Sequence, residues 1–456
     1  MLERLRSRGR GTALHPPWLP AVSRISAFPK VGGVLSAGSP NPPLMSTSPS
    51  SSPSRTRVNR RQFLAASAAA TTTFSIMSPK TALGASANDK VAIGLIGCGG
   101  RGKWIANLFK QHGGYEIVGV GDYFGERAEG AGKEFNVGAD KRYSGLSAYQ
   151  RLLDAKLDAV MIESPPYFHP QQAADAVDAG KHVYVAKPIA VDVPGCQSIE
   201  ASGKLATTKK QVFLVDFQTR AHPAYQEVAK WIHTGKIGRI LTVESNYQTS
   251  TMFTGMGEQL AKDPQNPELR LRCWAIDRVL SGDVITEQNI HAQDVVTWFV
   301  DAAPEKAVGT GGLARGFGTC WDHFSVIYTF PKGVINTFNS KQVGAQYDDI
   351  LCRVYGTEGT ADTHYFGKVW VKSKEDGFDG GELKNLYLDG AVNNIAAFHR
   401  AITGSDFSNP TVAPSVRSNL TTILGRTAAY AKGEVTWADM MRKAEKWEFP
   451  LTALRS

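Results

Sequence analysis

The sequence predicts an α/β protein whose first folded domain is a doubly wound parallel sheet, and three observations predict it. Val91–Ile96 is a short apolar run without charge, as a strand buried on both faces requires. Gly97, Gly99 and Gly102 follow at the spacing G-x-G-x-x-G and open onto a helix-like stretch, Lys103–Gln111. A second apolar run, Tyr115–Gly121, ends in Asp122, twenty residues after Gly102.

Each part has a physical task. The first glycine permits a tight turn, the second lets the backbone approach a pyrophosphate, and the third lets helix and strand pack closely. The helix N-terminus offers free N–H groups and a partial positive charge to phosphate oxygens. The loop residues Gly97, Cys98, Gly99, Gly100, Arg101 and Gly102 are therefore candidate cofactor contacts. Asp122 would accept hydrogen bonds from a ribose diol and repel a 2′-phosphate, which favours NAD over NADP. Cys98, inside this loop, reads as a small packing residue rather than a nucleophile.

The alternation then continues. Gly125–Phe135 and Ser147–Asp154 are helix candidates, Leu157–Ile162 is a strand, and Gln171–Ala179 is a helix. His182–Val185 is a strand running into Ala186, Lys187 and Pro188; a helix near Gln197–Thr207 leads to the strand Val212–Val215. Loops at the strand C-termini should line one crevice, and Lys187 is placed to reach into it.

Charge sorts the chain into parts. The net +9 of the 456 residues is misleading, because residues 1–87 hold eleven Lys/Arg and one acid, leaving 40 basic and 41 acidic side chains in 88–456. The folded part is thus near neutral and gives no reason to expect nucleic acid. Residues 1–44 are rich in Arg, Pro, Gly and Ser and are expected to be disordered, or to be a mis-assigned start upstream of Met45. Residues 45–87 carry Arg60-Arg61, a mildly apolar Ala/Thr/Ser stretch and the small-x-small site Ala85-Ser86-Ala87, a pattern that resembles a twin-arginine export signal. The expectation is a periplasmic or exported protein, handled by the twin-arginine machinery and without stable membrane insertion after cleavage. Five cysteines without a C-x-x-C pair suggest neither a disulfide framework nor zinc.

The glycine loop, Ser164-Pro165-Pro166-Tyr167-Phe168-His169 and Val183-Tyr184-Val185-Ala186-Lys187-Pro188 together resemble the Gfo/Idh/MocA family, which includes glucose-fructose oxidoreductase and inositol dehydrogenase. The resemblance covers about residues 90–450. It implies a Rossmann NAD-binding domain (88–215) followed by a catalytic α/β domain (216–456) built on an open, mostly antiparallel sheet. Ser164, Pro165 and His169 match the family's Thr-Pro…His segment with Ser for Thr. Ala186-Lys187-Pro188 matches Glu-Lys-Pro with the acid replaced, which removes a carboxylate that could tune the lysine. Gln218 and Arg220 fall near the family's cleft, Gln218 as a cofactor contact. A homo-oligomer through the C-terminal sheet is also expected.

In the second half, Ala224–His233 is a helix and Arg239–Tyr247 a strand, while Ser250–Arg272 reads as an irregular loop over the site. Glu287, His291 and Asp294 stand at i, i+4 and i+7, so one helix would put them on one face. The family carries Asp, His and Asp at this spacing, so Lys187, His291, Glu287 and Asp294 are the candidate catalytic set. One His without a second nitrogen or sulfur ligand at helical spacing is not a metal site. Phe324–Phe330, Val334–Phe338, Ile350–Tyr355 and Lys368–Val371 read as strands, Gly356–Thr360 as a turn and Glu375–Glu382 as a solvated loop. Val392–Ile402 and Val416–Ala431 are helices.

A neutral His has an unperturbed pKa of about 6.5, suited to taking a hydroxyl proton as hydride leaves carbon for nicotinamide. His291 is then the expected base, Lys187 the oxyanion donor, and Glu287 and Asp294 would orient His291 or bind substrate hydroxyls. The expected activity is hydride transfer between a tightly bound NAD and a hydroxyl or keto group of a sugar, polyol or glycoside. A glycosidase acting through transient oxidation, elimination and re-reduction would use the same residues, and a protein holding NAD only structurally is a third reading.

Overall fold

The computed structural model describes residues 90–345 and 347–456. The expected disordered start and export signal lie outside the described residues. The first sheet contains β1 (Val91–Ile96), β2 (Tyr115–Asp122), β3 (Arg142–Ser144), β4 (Ala159–Ile162), β5 (His182–Ala186) and β6 (Phe213–Asp216). All are parallel, in the order β3-β2-β1-β4-β5-β6. Strand order reverses beside β1, so its C-terminal end opens the crevice that doubly wound sheets use for ligands. Ile93, Leu95, Val160, Met161 and Ile162 are all fully buried, which is why these strands read as uninterrupted apolar runs.

The glycine motif makes the first turn possible. Gly97 takes φ +92°, and a Cβ there would stand 2.6 Å from the backbone of Glu163. A Cβ on Gly102 would strike the Gly97 carbonyl oxygen. The helix begins at Gly100, inside the motif and not at Lys103, and runs to His112 with Gly99 as its N-cap.

The second sheet contains β7 (Ile240–Thr249), β8 (Lys306–Gly312), β9 (His323–Thr329), β10 (Ile335–Gln342), β11 (Asp349–Gly356), β12 (Gly359–His364), β13 (Lys368–Ser373), β14 (Gly377–Glu382) and β15 (Glu434–Thr436). Its order is β14-β13-β12-β11-β7-β10-β9-β8-β15, antiparallel except for the parallel pair β7–β10. The helices Ile290–Val300 and Val412–Ala431 cover one face. The other face exposes Val308, Ile327 and Ile335.

Two local expectations are corrected. Ser250–Arg272 is not an irregular loop: it holds the short helices Thr254–Leu260 and Pro267–Arg272, the second capped by the Asn266 side chain, which accepts from the Glu268 and Leu269 N–H groups. Glu375–Glu382 supplies β14, an exposed edge strand held by backbone pairing to β13 and by Phe378 packing against the core.

The chain also recrosses the expected boundary at 216. The helix Leu386–Gly404 packs Ala391, Ile395 and Phe398 against Ile105 and Phe109 of the glycine-loop helix. In the helix Val412–Ala431, Asn419 accepts from the Ile189 N–H and donates to the Ala190 carbonyl at 3.1 Å each. Arg426 donates to the carbonyls of Val191 and Gly282 at 2.8 and 2.7 Å. The terminal segment then straps the first domain. The N–H groups of Trp447, Phe449 and Arg455 donate to Asp192, Tyr167 and Tyr123, and the Leu146 N–H donates to the Arg455 carbonyl.

The two glycines predict opposite behaviour. Gly102→Ala should cost about 2 kcal/mol or more in denaturant unfolding, because backbone must shift. Gly99→Ala, with nothing within 4 Å of the added Cβ, should cost under about 1 kcal/mol. It should nevertheless weaken NAD by about ten-fold, since the methyl group occupies the surface a pyrophosphate approaches. Equal stability losses in the two variants would refute this assignment.

Candidate active site

A cleft opens at the C-terminal ends of β1 and β4. Gly97, Gly99, Asp122, Phe124, Arg127, Glu163, Ser164 and Pro165 line it, with Leu271 and Trp274 contributed from the second domain. No side chain caps the helix Gly100–His112 and its first turn carries no acid, so its leading N–H groups remain available to phosphate. Asp122 ends β2 with one oxygen accepting from the Cys98 N–H at 2.7 Å and the other from the Phe124 N–H at 2.8 Å. Each oxygen keeps a lone pair for a ribose hydroxyl. Burial raises its pKa, and the two N–H groups oppose the rise. Cys98 is buried with its thiol pushed up by burial, a packing residue as expected. These residues fit NAD: a phosphate-binding helix terminus, open backbone at Gly99 and Gly100, and a carboxylate at the diol position.

The structure turns three expected cofactor contacts elsewhere. His169 is buried between the Pro188 carbonyl, 2.8 Å from Nδ1, and the Ser164 carbonyl, 2.7 Å from Nε2. A neutral imidazole has one N–H, so it donates to one of these at a time. Burial pushes its pKa down to about 4, and it is a strut between the loops after β4 and β5. Gln218 is also fully buried, donating to Asp216 at 2.7 Å instead of facing the cleft. Arg101 belongs to the loop, but its guanidinium reaches inward. It meets Glu163 at 2.9 Å, Asp216 at 2.6 Å and the Tyr387 hydroxyl.

Lys187 and His291 come together from the two domains. Lys187, at the end of β5, is buried, and its ammonium donates to the Glu287 carbonyl at 2.7 Å and to Glu287 Oε1 at 3.3 Å. Burial lowers its pKa, while the Glu287 charge opposes that. The carboxylate thought lost at Ala186 is therefore supplied by Glu287 from the other domain. His291 is buried with Nδ1 unpartnered, edge-on to Tyr365 at 5.4 Å between ring centroids and to Tyr387 at 6.5 Å. Burial, then the positive charges of Lys187 and Arg101, hold its pKa well below the ordinary histidine value.

The single catalytic helix expected here is two. Val284–Glu287 ends, Gln288 and Asn289 intervene, and Ile290–Val300 begins. The break frees the Glu287 carbonyl to accept from Lys187, as helix ends require partners for their last carbonyls. Asp294 does not act on His291: Arg220 Nε grips its two oxygens at 3.0 and 2.9 Å, and the Ser418 hydroxyl donates at 2.7 Å. It is fully buried and ties three segments together.

Sequence reasoning missed Glu163, Asp216, Tyr247, Tyr365 and Tyr387. Glu163 carried a signal, an acid placed at the end of an apolar strand. The tyrosines carried none, since each is remote in sequence from the residues it faces. Among the described residues no cluster of His, Cys, Asp or Glu is arranged to hold a metal.

A parallel dinucleotide-binding sheet joined to an open antiparallel sheet, with a buried lysine and histidine at the joint, defines a two-domain nicotinamide oxidoreductase. Residues 91–217 match the family model described as oxidoreductase family, NAD-binding Rossmann fold, and residues 225–362 match the GFO/IDH/MocA C-terminal domain. The chain belongs to the Gfo/Idh/MocA oxidoreductase family, and its cofactor is NAD. Inositol 2-dehydrogenase of Rhizobium meliloti (strain 1021) is 26% identical over 351 residues, 74% of this chain and 96% of that protein. The scyllo-inositol 2-dehydrogenase (NAD(+)) of Bacillus subtilis (strain 168) is 26% identical over 277 residues, 59% of this chain and 73% of the relative. Among solved structures, scyllo-inositol dehydrogenase from Lactobacillus casei with bound NAD(H) and scyllo-inositol has a TM-score of 0.61 at 20% identity, covering 76% of this chain and 99% of that one.

Proposed function

We propose that this protein is a sugar or polyol dehydrogenase that oxidises a secondary hydroxyl. The observation that carries the reading is the meeting of Lys187 and His291, from separate domains, in one buried site beside the NAD cleft. The inositol dehydrogenases among its relatives support the substrate class. NAD, when bound, supplies the hydride acceptor. His291 takes the hydroxyl proton on its neutral imidazole, whose Nδ1 is enclosed without a hydrogen-bond partner. An ammonium has three N–H groups; Glu287 engages Lys187 through one carbonyl and one carboxylate oxygen, and the remaining donor stabilises charge developing on the substrate oxygen. Glu287 thereby holds Lys187 charged and oriented. Tyr247, whose hydroxyl donates to Gln288 at 2.8 Å, extends the polar wall of the site. No feature of the site favours transient-oxidation glycoside cleavage over this reading.

His291→Ala should lower kcat by about 10²–10⁴-fold while NAD remains bound. Lys187→Ala should lower it too, and the double variant should sit close to the worse single one, because both residues serve one oxygen and its proton. With His291 held neutral well below its ordinary range, kcat at saturating substrate and NAD should show no acidic limb near pH 6–7; an acidic limb would appear only at lower pH. Near-normal turnover of His291→Ala on an inositol or sugar panel would refute the mechanism.

We also propose export by the twin-arginine route with NAD already loaded, supported by Arg60-Arg61 and the Ala85-Ser86-Ala87 site. The cleft is suited to retaining cofactor, being walled by Leu271 and Trp274, with the C-terminal strap tied to Tyr123 beside it. Replacing Arg60-Arg61 with Lys-Lys should abolish periplasmic protein, and the wild-type periplasmic fraction should contain about one NAD per chain by cofactor extraction. Unchanged periplasmic yield would refute export by this route.

A second copy of the chain is the proposed partner for the outer face of β7–β10. Val308 and Ile327 are paired across β8 and β9, and Ile335 is exposed on β10. Ile327→Glu combined with Ile335→Glu should shift sedimentation from oligomer toward monomer, since paired charges cannot be buried there without partners. A monomeric wild type would refute it.

A further inference from the structure

The buried charges around Lys187 do not cancel. Two cations, Arg101 and Lys187, face three carboxylates, Glu163, Asp216 and Glu287, in direct ion contacts of 2.6–3.3 Å. His291 and His169 add no charge, because burial holds both neutral. One negative charge is in excess.

The excess falls on Glu163. Asp216 accepts from Arg101, from Gln218 at 2.7 Å and from Asn394 at 2.8 Å. Glu287 has Lys187 and the Gln288 amide. The Glu163 side chain is entirely enclosed, and neither of its oxygens has an aligned donor: Arg101 Nε lies 2.9 Å from Oε2 but off the hydrogen-bonding direction. Burying a carboxylate without donors strongly favours its protonated form. Burial pushes this carboxyl up to about 7; Arg101 and Lys187 pull it down, and Asp216 pushes it further up. The nearby Tyr184 hydroxyl is neutral and unpartnered. A buried carboxylate that shares its one neighbouring guanidinium with Asp216 and has no aligned donor gains from any further positive charge.

Glu163 follows the C-terminal end of β4 and lines the NAD cleft beside Gly97, Gly99 and Ser164. The oxidised nicotinamide ring carries one positive charge and the reduced ring carries none, whereas the pyrophosphate and riboses are common to both forms. We propose that Glu163 is the counter-charge for the oxidised nicotinamide ring and sets this protein's preference for NAD⁺ over NADH. The inference rests on the dehydrogenase reading of the cleft and adds a residue to it. Glu163 is a charge-balancing residue. Below neutral pH it carries a proton in the free protein, and binding of NAD⁺ releases that proton to solvent. Binding of NADH, which brings no ring charge, leaves the proton in place.

Calorimetric titration of cofactor-free protein with NAD⁺ and with NADH, in two buffers of different ionisation enthalpy at about pH 6.5, counts the protons released. The expected result is most of one proton for NAD⁺ and close to none for NADH. Glu163→Gln should abolish the release and weaken NAD⁺ by about ten-fold or more, leaving NADH within about two-fold. Glu163→Asp should restore both the release and the preference in part. Lys187 could also lose a proton to an arriving cation, so loss of the release in Glu163→Gln assigns it to the carboxylate. Equal proton release with both cofactors, or equal weakening of both by Glu163→Gln, would overturn the proposal while leaving the dehydrogenase intact. If Glu163→Gln does not fold, Glu163→Asp carries the assignment: proton release and NAD⁺ preference identical to wild type in that variant would overturn the proposal. Failure of either cofactor to bind would overturn this proposal and the dehydrogenase reading together.

Discussion

The contact between Lys187 and Glu287 is the constraint on which the site depends. A lone buried ammonium would lose its proton or its place, because desolvation disfavours the charged form. Here it is held by a carbonyl released at a helix end and by the carboxylate of the same residue. That arrangement requires the second domain to stay packed on the first. The chain secures it by recrossing: Asn419 and Arg426 fasten the segment after Lys187, and the terminal strap fastens the loops after β2, β3 and β4. The domain joint is thus built from several satisfied polar contacts and an apolar seam, and the catalytic pair is a product of that joint.

The first sheet was legible because strands buried on both faces must be apolar throughout, and the glycine spacing fixed where the chain turns. The second sheet was legible only where it alternates. Strands β8, β12 and β14 are rich in Gly, with Thr and Asp among the rest, and they persist because backbone pairing and one covered face suffice. The long helices were legible, but the short ones at Thr254–Leu260 and Pro267–Arg272 and the break at Gln288–Asn289 were not. There the i, i+4, i+7 pattern implied one face, but tertiary demand for the Glu287 carbonyl prevails over continuity.

In the candidate site, residue types were more legible than partnerships. Lys187 was identifiable from its strand-end position, and His291 and Glu287 from their spacing together with the family resemblance. Asp294 was expected to orient His291 or bind substrate hydroxyls, yet its partner is Arg220, 74 residues away. Arg101 shows the same limit: the motif marks its backbone, while its side chain is directed by Glu163 and Asp216, which only the folded sheet brings beside it. A one-dimensional pattern reports which groups can bear charge, but not which charges will be left unpaired.

That residual charge reconciles two features of the site that otherwise oppose each other. Burial, and after it the charges of Lys187 and Arg101, depress the basicity of His291, which disfavours proton removal. The same cations stabilise the alkoxide-like oxygen that proton removal creates, so the loss in base strength is offset where it matters, at the substrate oxygen. Two unopposed cations would also repel a positively charged ring from the cleft. Glu163 and Asp216, set around Arg101, remove that repulsion without touching the Lys187–His291 pair directly. The protein therefore separates two electrostatic tasks that share one small volume: cations act on the oxygen being oxidised, and carboxylates act on the cofactor that accepts its hydride.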